Sequence, residues 1–318
     1  KQVEEWLWKK GAASFAEMTS LSKKMRDFFT EYFVINAVKI HKGERSIDGT
    51  IKYSFQLHDK QLVEGVLIPS KKRITACISS QVGCSLDCEF CATSKLKRIR
   101  NLNPDEIFDQ ASTINLQSKF YYNRPISNIV FMGMGEPLLN YINLIEGINK
   151  ITSKDGLGMS PKRITVSTSG ISKLIIKMAD ENVKFNLAVS LHSAVEKTRN
   201  KIMPFTIKFP LTDLKEAIKY WYNKTQKIVT YEYIVWKGIN DDMNHINALV
   251  DFCKSSPSKV NIIEYNKTSN DFFISADDSI IKKYIEELES NRIPVTIRKS
   301  RGKDIDAACG QLANKLKQ

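Results

Sequence analysis

The sequence predicts an α/β protein: an incomplete (β/α)6 barrel with a small N-terminal helical subdomain and a C-terminal strand and tail extension. Two observations carry this expectation. Six apolar runs alternate with helical patterns between residues 73 and 290, the arrangement of βα units around a parallel sheet. Glycines, hydroxyls, a carboxylate and an imidazole also collect where those runs end, and such barrels build their active sites at the C-terminal ends of their strands.

Taken in order, residues 1–50 read as short amphipathic helices, with Trp6, Leu7, Phe15, Met18, Leu21, Phe28 and Phe29 at spacings near three and four. Residues 51–72, with the looser alternation of "IKYSFQLHD" and "LVEGVLIP", predict a β-hairpin connection. The barrel is expected over 73–291, with strands at 73–79, 126–135, 163–170, 183–192, 228–236 and 259–265. The intervening helices include "NPDEIFDQASTINL", "SKLIIKMAD", "LTDLKEAIKYWY", "NHINALVDFCK" and "DSIIKKYIEELES". A last strand, "IPVTIRKS", leads into the basic tail of 292–318. There is no internal repeat and no low-complexity linker.

Composition narrows the function classes. Of 318 residues, 42% are hydrophobic and 26% charged, and no run approaches the roughly 18–20 apolar residues of a membrane span, so no membrane association is expected. The opening "KQVEEWLWKK" has no secretory apolar core, and a start at Lys1 leads us to expect a few residues before it. Six clustered cysteines point to a reducing, cytoplasmic compartment and to metal or catalytic use instead of a disulfide framework. A net charge of +13 favours a polyanionic partner such as nucleic acid.

Four of the six cysteines fall in "CISSQVGCSLDCEFC". Cys84, Cys88 and Cys91 form a C-x3-C-x2-C triad, with Cys77 seven residues upstream. Three thiolates suit a 4Fe-4S cluster with one iron open to a small ligand, whereas structural zinc usually takes four protein ligands. The spacing alone leaves both open. "GMGEP" (133–137), "STSG" (167–170), "SLH" (190–192) and "YN" (265–266) then end successive strands. Glycines there admit a ligand close to the backbone, and Glu136 can accept from an amine.

The triad, "GMGEP", "STSG", "SLH" and the tail "DIDAACGQL" together resemble the RlmN/Cfr family of radical S-adenosylmethionine (SAM) RNA methyltransferases, over nearly the whole chain. The resemblance implies that Cys84, Cys88 and Cys91 bind a 4Fe-4S cluster whose unique iron chelates SAM, and that Gly135, Glu136, Ser167, Ser190, Leu191, His192 and Asn266 line the SAM site. It further implies that Cys309 carries the methyl group, that Cys77 forms a transient disulfide with it, and that Glu64 accepts a proton. One SAM would methylate Cys309 and a second would yield a radical that activates this methyl group, since an adenine ring carbon is too electron-poor for polar methylation. Cys253 matches no motif and reads as core packing.

The resemblance also implies partners: 23S rRNA and tRNA as substrates, a flavodoxin-type electron donor, and action as a monomer. Pro137 follows Gly-Glu where Cfr-like sequences carry Ala, which favours methylation at adenosine C2 over C8. A non-catalytic zinc-containing RNA-binding module is the reading from a different class, and it leaves Glu64, Cys77 and Cys309 unexplained. For RNA contact the tail offers Arg292, Arg298, Lys299, Arg301, Lys303, Lys315 and Lys317 against Asp304 and Asp306, and "SKLKRIR" adds cations beside the triad.

Overall fold

The computed structural model describes residues 1–35, 38–268 and 272–314. In chain order it contains α1 (Gln2–Glu4), α2 (Lys23–Tyr32), β1 (Lys39–Arg45), β2 (Ile51–Gln56), β3 (Leu62–Pro69), β4 (Ile74–Cys77), β5 (Gln81–Val82), β6 (Arg100–Asn101), α3 (Pro104–Tyr122) and β7 (Asn128–Phe131). There follow α4 (Tyr141–Thr152), β8 (Ile164–Thr168), α5 (Ser172–Asp180), β9 (Asn186–Ser190), α6 (Glu196–Ile202), α7 (Leu211–Thr225), β10 (Val229–Ile234), α8 (Met243–Lys254), β11 (Ser258–Ile263), α9 (Asp278–Ser290) and β12 (Val295–Arg298).

One ten-stranded sheet runs β1-β2-β3-β4-β7-β8-β9-β10-β11-β12. From β4 onward every neighbouring pair is parallel, and β1 to β4 form an antiparallel meander on its leading edge. The predicted barrel strands are all present, and the "IPVTIRKS" strand extends the parallel run as β12. Parallel strands buried on both faces are mostly apolar, as in β10, where Val229, Tyr231, Tyr233 and Ile234 are all buried and Glu232 is the one charge.

Helix α3 begins where the sequence chemistry places it. Asn103 and Glu106 form a capping box behind Pro104, and Asn123 ends the helix in the left-handed region. Glu106 also grips the Arg100 guanidinium at 2.7 and 2.8 Å, so this member of the basic run is committed within the fold.

The helical reading of 1–50 is corrected at its end. Helix stops at Tyr32, and Lys39–Arg45 is the edge strand β1, exposed and charged. It is too polar to show a strand pattern of its own, and its pairing with β2 holds it extended. The helical part has a small core of its own in Ala12, Phe15, Met18 and Leu21. It docks on α3 through Trp8, edge-on to Phe108 at 5.3 Å, above a cavity of about 470 Å³ bordered by Asp109. Among the described residues no helix is long and apolar enough to cross a membrane. Lys315 and Lys317 lie outside the described residues.

Candidate active site

The C-terminal ends of β7, β8, β9, β10 and β11 surround a cavity of about 160 Å³. Its lining includes Cys84, Cys88 and Cys91 from the loop after β5, Gly135 and Glu136 after β7, Ser167 on β8, and Ser190 and His192 at the end of β9. Cys309 and Gly310 of the tail line it too. Leu191 does not; it is fully buried, and its N–H donates to the Glu232 carbonyl at 3.0 Å.

Gly135 is demanded by geometry. Its φ is +95°, and a Cβ there would lie 2.5 Å from that of Gln81. The turn delivers Glu136, whose carboxylate accepts from Leu138 N (3.0 Å), Thr168 Oγ1 (2.7 Å), Ser169 N (2.8 Å) and Ser169 Oγ (2.6 Å). These bonds tie the end of β7 to the end of β8, and a ligand ammonium reaching Glu136 would displace one of the two hydroxyls. Burial raises the Glu136 pKa and the hydrogen bonds oppose it.

His192 also takes a left-handed backbone, φ 55°. Its Nδ1 accepts from Ile234 N at 3.3 Å, which puts its proton on Nε2. Burial first, and Arg199 second, depress its pKa to about 3, so the ring is neutral at physiological pH. Asn266 donates from Nδ2 to the Cys309 carbonyl at 3.3 Å, while its Oδ1 is buried without a partner.

The tail forms the roof. Ala92 N donates to Gly310 O at 2.7 Å and Thr93 Oγ1 to Leu312 O at 2.6 Å, seating the segment around Cys309 on the cysteine loop. Cys309 also borders a second cavity of about 70 Å³, shared with Cys77, Met132, Arg298 and Leu312. Cys77, at the end of β4, has its pKa raised to about 12, chiefly by burial and then by Cys309. Glu64 lines neither cavity. Its carboxylate accepts from Ala313 N (2.9 Å) and Asn314 N (3.3 Å), with Lys52 Nζ at 4.0 Å, and burial raises its pKa. Cys253 packs in the core on α8, as expected.

Three residues of the site escaped sequence reasoning. Arg199 on α6 is wholly buried and bonds Ser169 O at 2.6 Å and Leu191 O at 3.2 Å, bracing the ends of β8 and β9. Glu232 on β10 lines the larger cavity, and Arg298, read as a phosphate contact, turns inward to the smaller one. A lone charge in an apolar strand such as "YEYI" was the only available signal for Glu232.

Residues 78–250 match the radical SAM superfamily, and residues 1–35 match the ribosomal RNA large subunit methyltransferase N-terminal domain. A protein of Flavobacterium psychrophilum named "Probable dual-specificity RNA methyltransferase RlmN" is 63% identical over 99% of this chain and 90% of its own length. The chain belongs to the RlmN family of radical SAM RNA methyltransferases. The RlmN-type protein of Geotalea uraniireducens, named a dual-specificity RNA methyltransferase, is 41% identical over 99% of this chain and 90% of its own. A radical SAM methyltransferase from Sphaerobacter thermophilus superposes with a TM-score of 0.93 at 33% identity, covering 98% of this chain and 91% of that one.

Radical SAM enzymes use a 4Fe-4S cluster and SAM, and the RlmN-family loop fits the cluster. The neighbouring backbone N–H groups of Leu86 and Ser85 pull the Cys84 thiol down, and those of Ser94 and Thr93 the Cys91 thiol, an environment that suits metal-bound thiolates. Burial raises all three thiol pKa values, a cost that metal ligation offsets. Among the described residues no three His, Cys, Asp or Glu side chains converge to hold a single ion. A cuboidal cluster, in which each thiolate binds a different iron, does not require that convergence.

Proposed function

We propose that this chain methylates C2 of adenosine in the peptidyl-transferase loop of 23S rRNA and 3′ of the anticodon in some tRNAs, with Cys309 as methyl carrier and Cys77 as resolving thiol. One observation carries this reading: Cys309 stands between the cavity of the cysteine triad and the cavity that holds Cys77. A thiol so placed can receive a group on one side and meet a second thiol on the other. The relatives named dual-specificity RNA methyltransferases support two RNA substrates. The setting is a cytoplasmic one, with the chain acting as a monomer and a flavodoxin-type reductant supplying electrons.

Cys84, Cys88 and Cys91 would hold the cluster, and Gly135, Glu136, Ser167, Ser190, His192 and Asn266 would surround SAM, with Leu191 contributing backbone alone. When bound, these groups supply the methyl group and the one-electron chemistry that an adenine carbon requires. The remaining steps belong to the protein. Cys309 carries the methyl carbon to the base and becomes bonded to it. Glu64 takes the proton from the modified carbon, which requires it to release Ala313 and Asn314. Cys77 attacks the Cys309 sulfur, forming the disulfide and freeing the product. At about 160 Å³ the cavity is smaller than typical small-molecule sites of roughly 300–1,000 Å³, so this reading requires the Cys309 roof to lift when SAM enters.

Protein with Cys77→Ala, isolated from cells, tests the reading. It should carry RNA attached through Cys309, seen as a nuclease-sensitive mass shift, and Cys309→Ala should carry none. Normal turnover by Cys77→Ala without trapped RNA would refute the two-thiol route. Mass spectrometry of nucleosides from cells with and without the protein distinguishes C2 from C8 methylation.

A further inference from the structure

An ion pair between a buried carboxylate and a half-buried guanidinium stands between the two cavities, and the sequence reading assigned neither residue to the thiol chemistry. Glu232 on β10 lines the triad cavity; Arg298, the last residue of β12, lines the small cavity with Cys77 and Cys309. Arg298 Nη1 is 3.9 Å from Glu232 Oε2 and 3.3 Å from Met132 Sδ. The other Glu232 oxygen accepts from Asn261 Nδ2 at 3.0 Å, while Oε2 is buried without a hydrogen-bond partner.

This geometry is poor for stability. An ion pair compensates its desolvation only when close and fully hydrogen-bonded, and here the separation is long and one carboxylate oxygen lacks a donor. What the arrangement achieves is placement, because it brings a guanidinium to the wall shared by two sulfurs. We infer that Arg298 is a positioning residue for the exchange between Cys77 and Cys309, the counter-cation of the attacking thiolate, and that Glu232 holds it at the junction between the cavities. The role rests on the thiol-pair reading given above.

In the exchange, Cys77 has lost its proton to solvent and its sulfur pair forms the S–S bond. The bond from the Cys309 sulfur to the carried carbon breaks, its electron pair leaving with the carbon, which takes up a proton. The two sulfurs are oxidised to a disulfide and the carbon is reduced. Arg298 transfers nothing; it makes the thiolate less costly in a buried site. Burial raises the Cys77 pKa, and the Arg298 charge pulls the other way.

The test uses cluster-loaded protein without SAM or RNA, in an oxidised/reduced dithiothreitol mixture at fixed pH. Formation of the Cys77–Cys309 disulfide is followed by differential alkylation and peptide mass spectrometry. Loss of the cation lowers the thiolate fraction and partly raises its nucleophilicity, so Arg298→Gln should slow formation roughly threefold or more. Arg298→Lys should recover most of the rate, and Glu232→Gln should slow it less than Arg298→Gln. Thermal unfolding of each variant checks the fold, and the remote Cys253 should react equally in all. Wild-type rates in Arg298→Gln, or no recovery in Arg298→Lys, overturn this role alone. A wild-type protein that forms no Cys77–Cys309 disulfide overturns the thiol-pair reading and this role with it.

Discussion

Replacing Glu136 by alanine should damage the fold as well as ligand binding, because four protein donors converge on this carboxylate. The Thr168 and Ser169 hydroxyls can rotate to other partners. The Leu138 and Ser169 N–H groups cannot, and each buried donor left unpaired costs about 1–3 kcal/mol. Removing a carboxylate that is itself expensive to bury offsets part of the sum. The net loss is about 2–4 kcal/mol, or a melting temperature lowered by about 3–6 °C at roughly 1.5 °C per kcal/mol for a chain of this length. Glu136→Gln should fall between the two, since its amide NH2 faces one of the two backbone donors whichever way it flips. The assay is thermal unfolding of the protein without SAM, beside calorimetric titration with SAM. A Glu136→Ala protein that melts at the wild-type temperature and loses only SAM affinity would refute the argument that this carboxylate ties β7 to β8.

Alanine at Cys88 should abolish the brown colour and iron content of anaerobically purified protein, because it removes one of the three proposed cluster ligands; iron analysis and the visible spectrum decide, and a zinc-containing, colourless wild type would overturn the cluster assignment. Asp109, beneath the N-terminal helices, has its pKa raised to about 6, mainly by burial. Because the folded value lies above the ordinary 3.8, the proton stabilises the fold, and this contribution is lost as pH rises from about 4 through 6. Asp109→Asn should therefore flatten that part of the stability profile, measured by denaturant unfolding at several pH values, and an unchanged profile would contradict it. Lys299→Ala with Arg301→Ala should weaken RNA binding and reduce its salt dependence by about 1–2 in log-log slope, read by filter binding over a salt series. Arg298 is excluded from that set because it faces the thiols.

The sequence by itself determined the barrel and its contents. Period-two apolar runs and period-3.6 helices are local consequences of burial, so the strands from 73 to 265 and helices such as α5 and α9 were legible without coordinates. The triad was legible because its three cysteines share one loop, and the motifs at strand ends because a parallel sheet gathers those ends on one side. Strand β1 was not legible, since its extended form comes from pairing with β2 and not from any pattern in "KIHKGER". The tertiary structure alone decided how Glu136 spends its lone pairs, that Glu64 holds the tail, and that Arg298 points inward. Each depends on side chains from distant segments meeting in a low-dielectric interior, where partners and burial, not residue type, set what a charge does. A surface lysine and a half-buried arginine look alike in a basic run, and only packing separates them.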